Sequence, residues 1–397
     1  MPIFCPEIGS FPPFPSNQGA DLDKMGGDAH LLDWLLLAST PGLGPAGMRV
    51  LIERFGTPGA VLAASRARLE SIPGLRRPVV DALCRPRERA AAERELEQTR
   101  KHGLIILTWD HPAYPPLLRT IPDPPLLLYT KGDLACLSQP GLGVVGARAA
   151  TSYGRQVAQD MAFQLARKGL VIISGFALGI DTAAHQGALR AGGRTVAVLG
   201  NGLDMVYPEQ NRKLFDKIAE TGTLVSEYPL GTTPDAFRFP ARNRIISGLA
   251  LGVLVVEAAK RSGSLITAHL ALEQGREVFA VPGRVDSWKS EGAHRLLQEG
   301  AKLVFRAEDI LEELPHGLTG LLAAKPEAVP REPLAPEEEQ LLALLDSYPQ
   351  TIDELIQQTA WPAAKVTELL LLLELKRYIE SLPGKQYQRK TAPVASP

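Results

Sequence analysis

The side chains that could do chemistry in this 397-residue chain gather between Gly141 and Val304. The densest stretch is FRFPARNRIISG at 237–248, where Arg238, Arg242, Asn243 and Arg244 stand among Phe237 and Phe239. Guanidinium groups interleaved with aromatic rings suit an unpaired polynucleotide, which offers phosphates and open base faces together. The competing reading pairs an arginine with Glu257 or Glu227 in the core and buries the phenylalanines. That is expected of at least one of the three arginines.

Two further stretches fit the same chemistry. Arg148, in GARAATSYG, projects beyond a strand end, and Thr151 or Ser152 can cap the helix that follows. An arginine beside a free helix N-terminus would make an anion site from a fork of donors and unpaired N–H groups. In KRSGSLITA at 260–268, Lys260 and Arg261 flank a turn, Gly263 admits close backbone approach, and Ser264 is placed to cap a helix. Two cradles and an arginine loop on one sheet edge describe a track rather than a point.

Other constellations carry less. Asp181 and His185 share a helix face, but without a third ligand they read as structural, and no metal site is expected. Gly141, Gly143 and Gly146 spell G-x-G-x-x-G, yet the first two fall at or within a strand. The next strand ends in Ser174-Gly175, where a dinucleotide fold needs an acid for the ribose. No cofactor is expected. No nucleophile with a base is assembled by spacing, so no catalytic residue is assigned. Cys5, Cys84 and Cys136 form no CxxC pair, which suits a reducing cytoplasm. No signal peptide or 18-residue apolar span is present, and a cytoplasmic location is expected.

The elements that must position these residues read as strand, Gly-rich turn, helix, repeated. LGVVGA, LVIISG, TVAVLG, TLVSEY, GVLVVEA, EVFAVPG and AKLVF are short, nearly continuous apolar runs. Such runs fit parallel strands buried on both faces, with helical crossovers between them. The fold class is α/β, an extended Rossmann-like doubly wound parallel sheet, with ligands expected beyond the carboxyl ends of its strands. Residues 141–305 carry 19 basic against 14 acidic side chains, although the whole chain is at −1. A polyanion would dock on this central part.

Five segments are expected. Residues 1–27 form a disordered tail. Residues 28–100 form a helical domain resembling a helix-hairpin-helix or sterile-alpha-motif bundle, its PGLGP turn at 41–45 read as a plain helix–helix turn. Residues 101–314 form the sheet domain, with two extra strands in LIILTW and LLLYTKG; six prolines between these argue against a helix there. Residues 315–335 form a Pro- and Ala-rich linker. Residues 336–390 form a winged helix, with Thr351 and Glu354 as a capping box. Its reading helix offers Lys365, opposed by Glu368, and its wing Lys385, Arg389 and Lys390. Residues 331–397 hold 7 basic against 10 acidic side chains, which favours an interaction or stabilising role over duplex reading.

GARAATSYG, SGFALGIDTAAHQGAL, GGRTVAVLGNGLDMVYPEQN, SEYPLG, FPARNRIISGLA, VVEAAKRSGSLITA and VFAVPG resemble the DNA-processing protein A (DprA/Smf) family over 141–305. The resemblance implies a dimeric single-stranded DNA-binding protein of natural transformation. It implies loading of the RecA recombinase onto DNA coated by single-strand-binding protein, and no catalysis. The family's pocket uses the first-strand arginine, matching Arg148, and the stretch around Arg242, Asn243 and Arg244. Where relatives carry lysines this chain has Pro234, Asp235 and Ala236, which moves part of the phosphate grip to Arg238. The alternative is an enzyme like the Rossmann-fold nucleotide phosphoribohydrolases, for which SGSLITAHLALEQ supplies no acid before Glu273.

Overall fold

The computed structural model describes residues 27–85, 89–314, 334–345, 349–376, 378–382 and 386–389. The tail and linker expected at 1–27 and 315–335 fall almost wholly outside the described residues, as do Lys385 and Lys390.

The expected α/β architecture is present. Its strands are β1 (Ile105–Thr108), β2 (Leu127–Gly132), β3 (Gly141–Gly146), β4 (Val171–Ser174), β5 (Thr195–Leu199), β6 (Thr223–Ser226), β7 (Gly252–Val256), β8 (Glu277–Ala280) and β9 (Lys302–Leu303). They form one sheet in the order β1-β2-β6-β5-β4-β3-β7-β8-β9. The pairs β1–β2 and β2–β6 are antiparallel, and the remaining neighbours are parallel. From β3 the chain works outward to β6, then returns to β7 on the other side of β3. The strand order therefore reverses between β3 and β7, where doubly wound sheets open a crevice.

Alternation along the strands feeds two cores. Val145, Ile173, Val198 and Val253 pack with Ile245 and Ile246 of helix Arg238–Leu249 and with Leu265 and Ala268 of helix Gly263–Glu273. Leu142, Val144, Ile172 and Leu254 pack on the other face with Ala158 and Leu165 of helix Ser152–Arg167 and with Ile180 and Ala184 of helix Ile180–Arg190. Covering both faces is what makes the strands read as unbroken apolar runs.

The two extra strands appear as β1 and β2, but the proline-rich connection between them does hold a helix. Pro116–Arg119 forms one turn, with Pro116 at its first position, where a missing N–H costs nothing. Among the described residues six helices lie between Asp28 and Lys101. They share a core with the sheet: Trp34, Leu37 and Leu51 belong to one cluster with Ile106, Tyr129, Phe215 and Leu224. The Gly42 carbonyl in the 41–45 turn accepts from Arg76 Nη2 at 3.3 Å.

The C-terminal unit has helices Pro336–Leu344, Ile352–Thr359 and Ala363–Leu375 and a three-stranded antiparallel sheet. Leu341, Leu355, Val366, Leu370 and Ile379 fill its core. The expected capping box forms: Thr351 N donates to Glu354 Oε2 at 2.7 Å, and Glu354 N to Thr351 Oγ1 at 3.3 Å. Lys365 pairs with Glu337 and sits 4.9 Å over the Trp361 ring. Its charge is thus met by a glutamate other than the expected Glu368. Among the described residues no helix is long and apolar enough to cross a membrane.

Candidate nucleic-acid interface

Parallel pairing from β6 through β5, β4, β3 and β7 to β8 brings six carboxyl ends to one rim. Two aromatic–cation groups stand on it. After β3, Arg148 is exposed and its guanidinium carbon lies 5.1 Å over the Phe239 ring. That ring stacks on Tyr207, with centroids 5.8 Å apart and planes at 23°. In the second group, Arg238 lies 5.0 Å over Phe237 and 5.5 Å over Tyr228. Phe237 is 65% exposed. Arg238 Nη1 donates to the Thr233 carbonyl. Neither Arg148 nor Arg238 makes an ion pair with a described residue, and Lys260 and Arg261 after β7 are likewise exposed and unpaired.

The other two arginines of the 237–248 segment point inward, which corrects their expected role as phosphate contacts. Arg242 is 4% exposed and its Nη1 donates to the Val198 carbonyl. It runs so close to the strand end of β4 that a Cβ on Gly175 would lie 2.2 Å from Nη1. Burial lowers its pKa to about 10, so it stays charged at neutral pH. Arg244 has a side chain only 11% exposed, gripped by Glu227 at 2.6 and 2.9 Å and by Asp123 at 3.0 Å. Burial works against its charge, but the two carboxylates outweigh that and raise its pKa. Phase does not separate Arg238 from Arg242, which follows it by four residues on the same face; position along the axis does, because the first turn is half-open to water while burial begins at Arg242.

Both expected helix-start cradles also need correction. The N-terminus of helix Ser152–Arg167 is not free. Glu257, with φ +53°, accepts from Thr151 N at 2.8 Å and from the Thr151 hydroxyl. Thr151 in turn caps Gly154 N at 3.0 Å, as expected. At the second cradle the cap is Ser262 rather than Ser264. Ser264 is buried, with its hydroxyl 2.7 Å from that of Ser262. Asn243, also buried, donates to the Gly263 carbonyl at 3.3 Å and so braces this turn from beneath. Gly263 itself is exposed, with open space where a Cβ would stand.

Asp181 and His185 do not bond to each other. The Asp181 carboxylate accepts from Ala177 N at 3.2 Å, and burial raises its pKa to about 6 although nearby Arg242 opposes the shift. His185 Nδ1 lies 2.7 Å from Thr195 Oγ1. The Thr195 hydroxyl gives its hydrogen to the Ile172 carbonyl at 2.6 Å, so Nδ1 donates and Nε2 is a bare lone pair without a partner. Burial, then Arg242, holds the His185 pKa down to about 3. These groups form no metal-binding cluster among the described residues.

A family model described as DNA recombination-mediator protein A matches residues 105–315, the span from β1 to β9. The chain belongs to that family. The DprA winged helix domain matches residues 325–385. Protein Smf of Synechocystis is 34% identical over 390 residues, covering 90% of this chain and 98% of its own length. DNA processing protein DprA of Bacillus subtilis is 44% identical over 252 residues, covering 60% of this chain and 85% of its own length. The X-ray structure of DNA processing protein A from Streptococcus pneumoniae superposes with a TM-score of 0.65 at 39% identity, covering 72% of this chain and 98% of that one.

Two rim residues of this family member, Tyr207 and Tyr228, escaped the reading of its sequence, and Glu257, named there as an arginine partner, caps a helix instead. Tyr207 and Tyr228 lie in LGNGLDMVYPEQ and SEYPLG, the segments that follow β5 and β6. Two aromatics in strand-end segments were a usable signal, since strand ends are where the site was sought. The cap by Glu257 had none, because it bridges positions 106 residues apart.

Proposed function

We propose that this chain binds single-stranded DNA along the strand-end rim and acts in DNA processing during natural transformation and recombination. In this reading it protects incoming strands and loads RecA onto DNA coated by single-strand-binding protein, without catalysis, as a cytoplasmic homodimer. Two copies would raise avidity by joining two rims. Phosphates meet Arg148, Arg238, Lys260, Arg261 and the turn at Gly263, while bases meet Phe237, Phe239 and Tyr207. Arg242, Asn243, Arg244 and Ser264 hold these groups in place from below.

The observation that carries the reading is the pairing of unpaired arginines with half-open rings, Arg148 on Phe239 and Arg238 on Phe237. Such pairs supply charge and stacking without base-edge donors, so weak sequence preference is expected. Anisotropy titration of a labelled oligothymidylate at several salt concentrations tests it. Binding that weakens as salt rises supports the reading, and failure of the chain to bind at low salt overturns it.

The phosphoribohydrolase reading is disfavoured by two placements. Glu273 closes helix Gly263–Glu273, about 15 Å from its start at 1.5 Å per residue. The Glu257 carboxylate, nearer the rim, is already bonded to Thr151. Release of free base from nucleoside monophosphates would reverse this preference.

A further inference from the structure

We propose that Trp288 is a base-stacking platform that carries the single-strand track past β7 to the end of β8. The proposal rests on the single-stranded DNA reading above and extends it beyond the VFAVPG motif into the loop that follows β8.

Trp288 lies between β8 and helix Glu291–Gln298. Because β3, β7 and β8 are parallel neighbours, this loop opens on the same rim as Arg148. Trp288 is 65% exposed and Val285 is 93% exposed. A large aromatic left mostly in water forgoes the burial that governs its type elsewhere in the chain, as at Trp34, which is fully buried.

The loop is nevertheless built rather than slack. Ser287 N donates to the Arg284 carbonyl at 3.2 Å and Ser290 N to the Ser287 carbonyl at 2.9 Å, giving two successive turns. His294 Nε2 lies 3.0 Å from the Gly283 carbonyl and clamps the loop base. Lys289 Nζ donates to the Ala149 carbonyl at 2.7 Å and sits 5.7 Å from the Trp288 ring centroid.

That lysine ties the indole to the turn carrying Arg148. The order of groups is then Tyr207, Phe239, Arg148, the Ala149 carbonyl, Lys289, Trp288. Rings stand at both ends of it with two cations between them, so bases can stack at either end while phosphates are held in the middle. From β6 to β8 the rim crosses five strand spacings, about 24 Å at roughly 4.8 Å each. A platform at each end lets a strand lie across the whole rim rather than hang from its middle.

The test uses the full chain with oligothymidylates of about 6 and about 20 nucleotides, against the Trp288→Ala, Trp288→Phe and Arg148→Ala variants. Trp288→Ala is expected to lose about tenfold in affinity for the longer strand and to bind the shorter one as before. Trp288→Phe should recover most of the loss, since phenylalanine keeps a stacking face. Binding of both lengths by Trp288→Ala unchanged from the unmodified chain, with binding weakened in Arg148→Ala, overturns the platform and leaves the rim reading standing. No binding by the unmodified chain overturns both. A lower sedimentation mass for Trp288→Ala without DNA would make the indole a contact between copies of the chain and also overturn the proposal. Because the side chain is exposed, its melting temperature should match that of the unmodified protein.

Discussion

The turn after β3 and the first turns of helix Arg238–Leu249 both deliver arginine to the same rim, with opposite results. Arg148 rests on Phe239 with no ion pair to a described residue, whereas Arg242 and Arg244 vanish beneath the surface within four to six residues of half-buried Arg238. Residue type does not separate them. What separates them is whether the backbone at that position faces water or the ends of β4, β5 and β6. A buried cation needs every donor matched, and Arg244 gets that from two carboxylates, while Arg242 has one carbonyl and an Nε without a partner.

The sharpest break of this contrast is Arg242→Ala. Removing it strips the Val198 carbonyl of its donor and leaves Asp181 without the neighbouring cation, at an expected cost of about 3–5 kcal/mol. A urea midpoint lowered with unchanged slope would show it. An unaltered midpoint would mean the inward arginine does not support the fold.

Next in size is a dependence on acidity. His185 is held neutral at about 3 against an ordinary 6.5, so its contribution is whole above 6.5 and is lost as pH falls toward 3. Asp181 has the opposite sign, since its raised value of about 6 favours the protonated acid and costs stability as pH rises from 3.8 to 6. The histidine shift is the larger. The two slopes oppose each other between pH 6 and 3.8, so melting temperature should fall from pH 6.5 to 6, stay level to 3.8 and fall again toward 3, and His185→Gln should make it rise on acidification from 6 to 3.8.

On the outward side, Arg148→Ala should leave the urea midpoint alone and weaken oligothymidylate binding about tenfold, near 1.4 kcal/mol. The slope of log affinity against log salt should shrink by about 0.7, as for one lost phosphate contact on a single strand. Lys260→Ala should do least: a comparable loss of slope with only about a two- to threefold loss of affinity, because a point charge without a ring beside it adds no stacking. If Lys260→Ala proves more damaging than Arg148→Ala, the centre of the track lies over β7 instead.

Much of the fold could be read from the chain because β-branched runs at strand positions and glycine at strand ends are local signals. The β-strand sequence, the winged helix capping box and the placement of Arg148 all came from neighbours in sequence. An arginine held by Glu227 was expected and is found at Arg244, but which arginine turns inward and the further partners Val198 and Asp123, 44 and 121 residues away, carry no local signal. Ser262 displaced Ser264 as the cap for a local reason, a helix start two residues earlier than the spacing suggested. The proline-rich turn at 116–119 was missed because proline breaks a helix interior yet opens a helix well.

The family-matched span begins at residue 105, but the physical unit begins earlier. Trp34 reaches from the first helix to Asp110 just past β1, donating at 3.2 Å, and its neighbours roof Ile106 and Tyr129. A polypeptide cut at 105 would bare that roofed surface to solvent and invite self-association. Its behaviour in a binding assay would then report sticky wounds as much as nucleic acid. The family model and the packed core start at different residues, and trimming should follow the second.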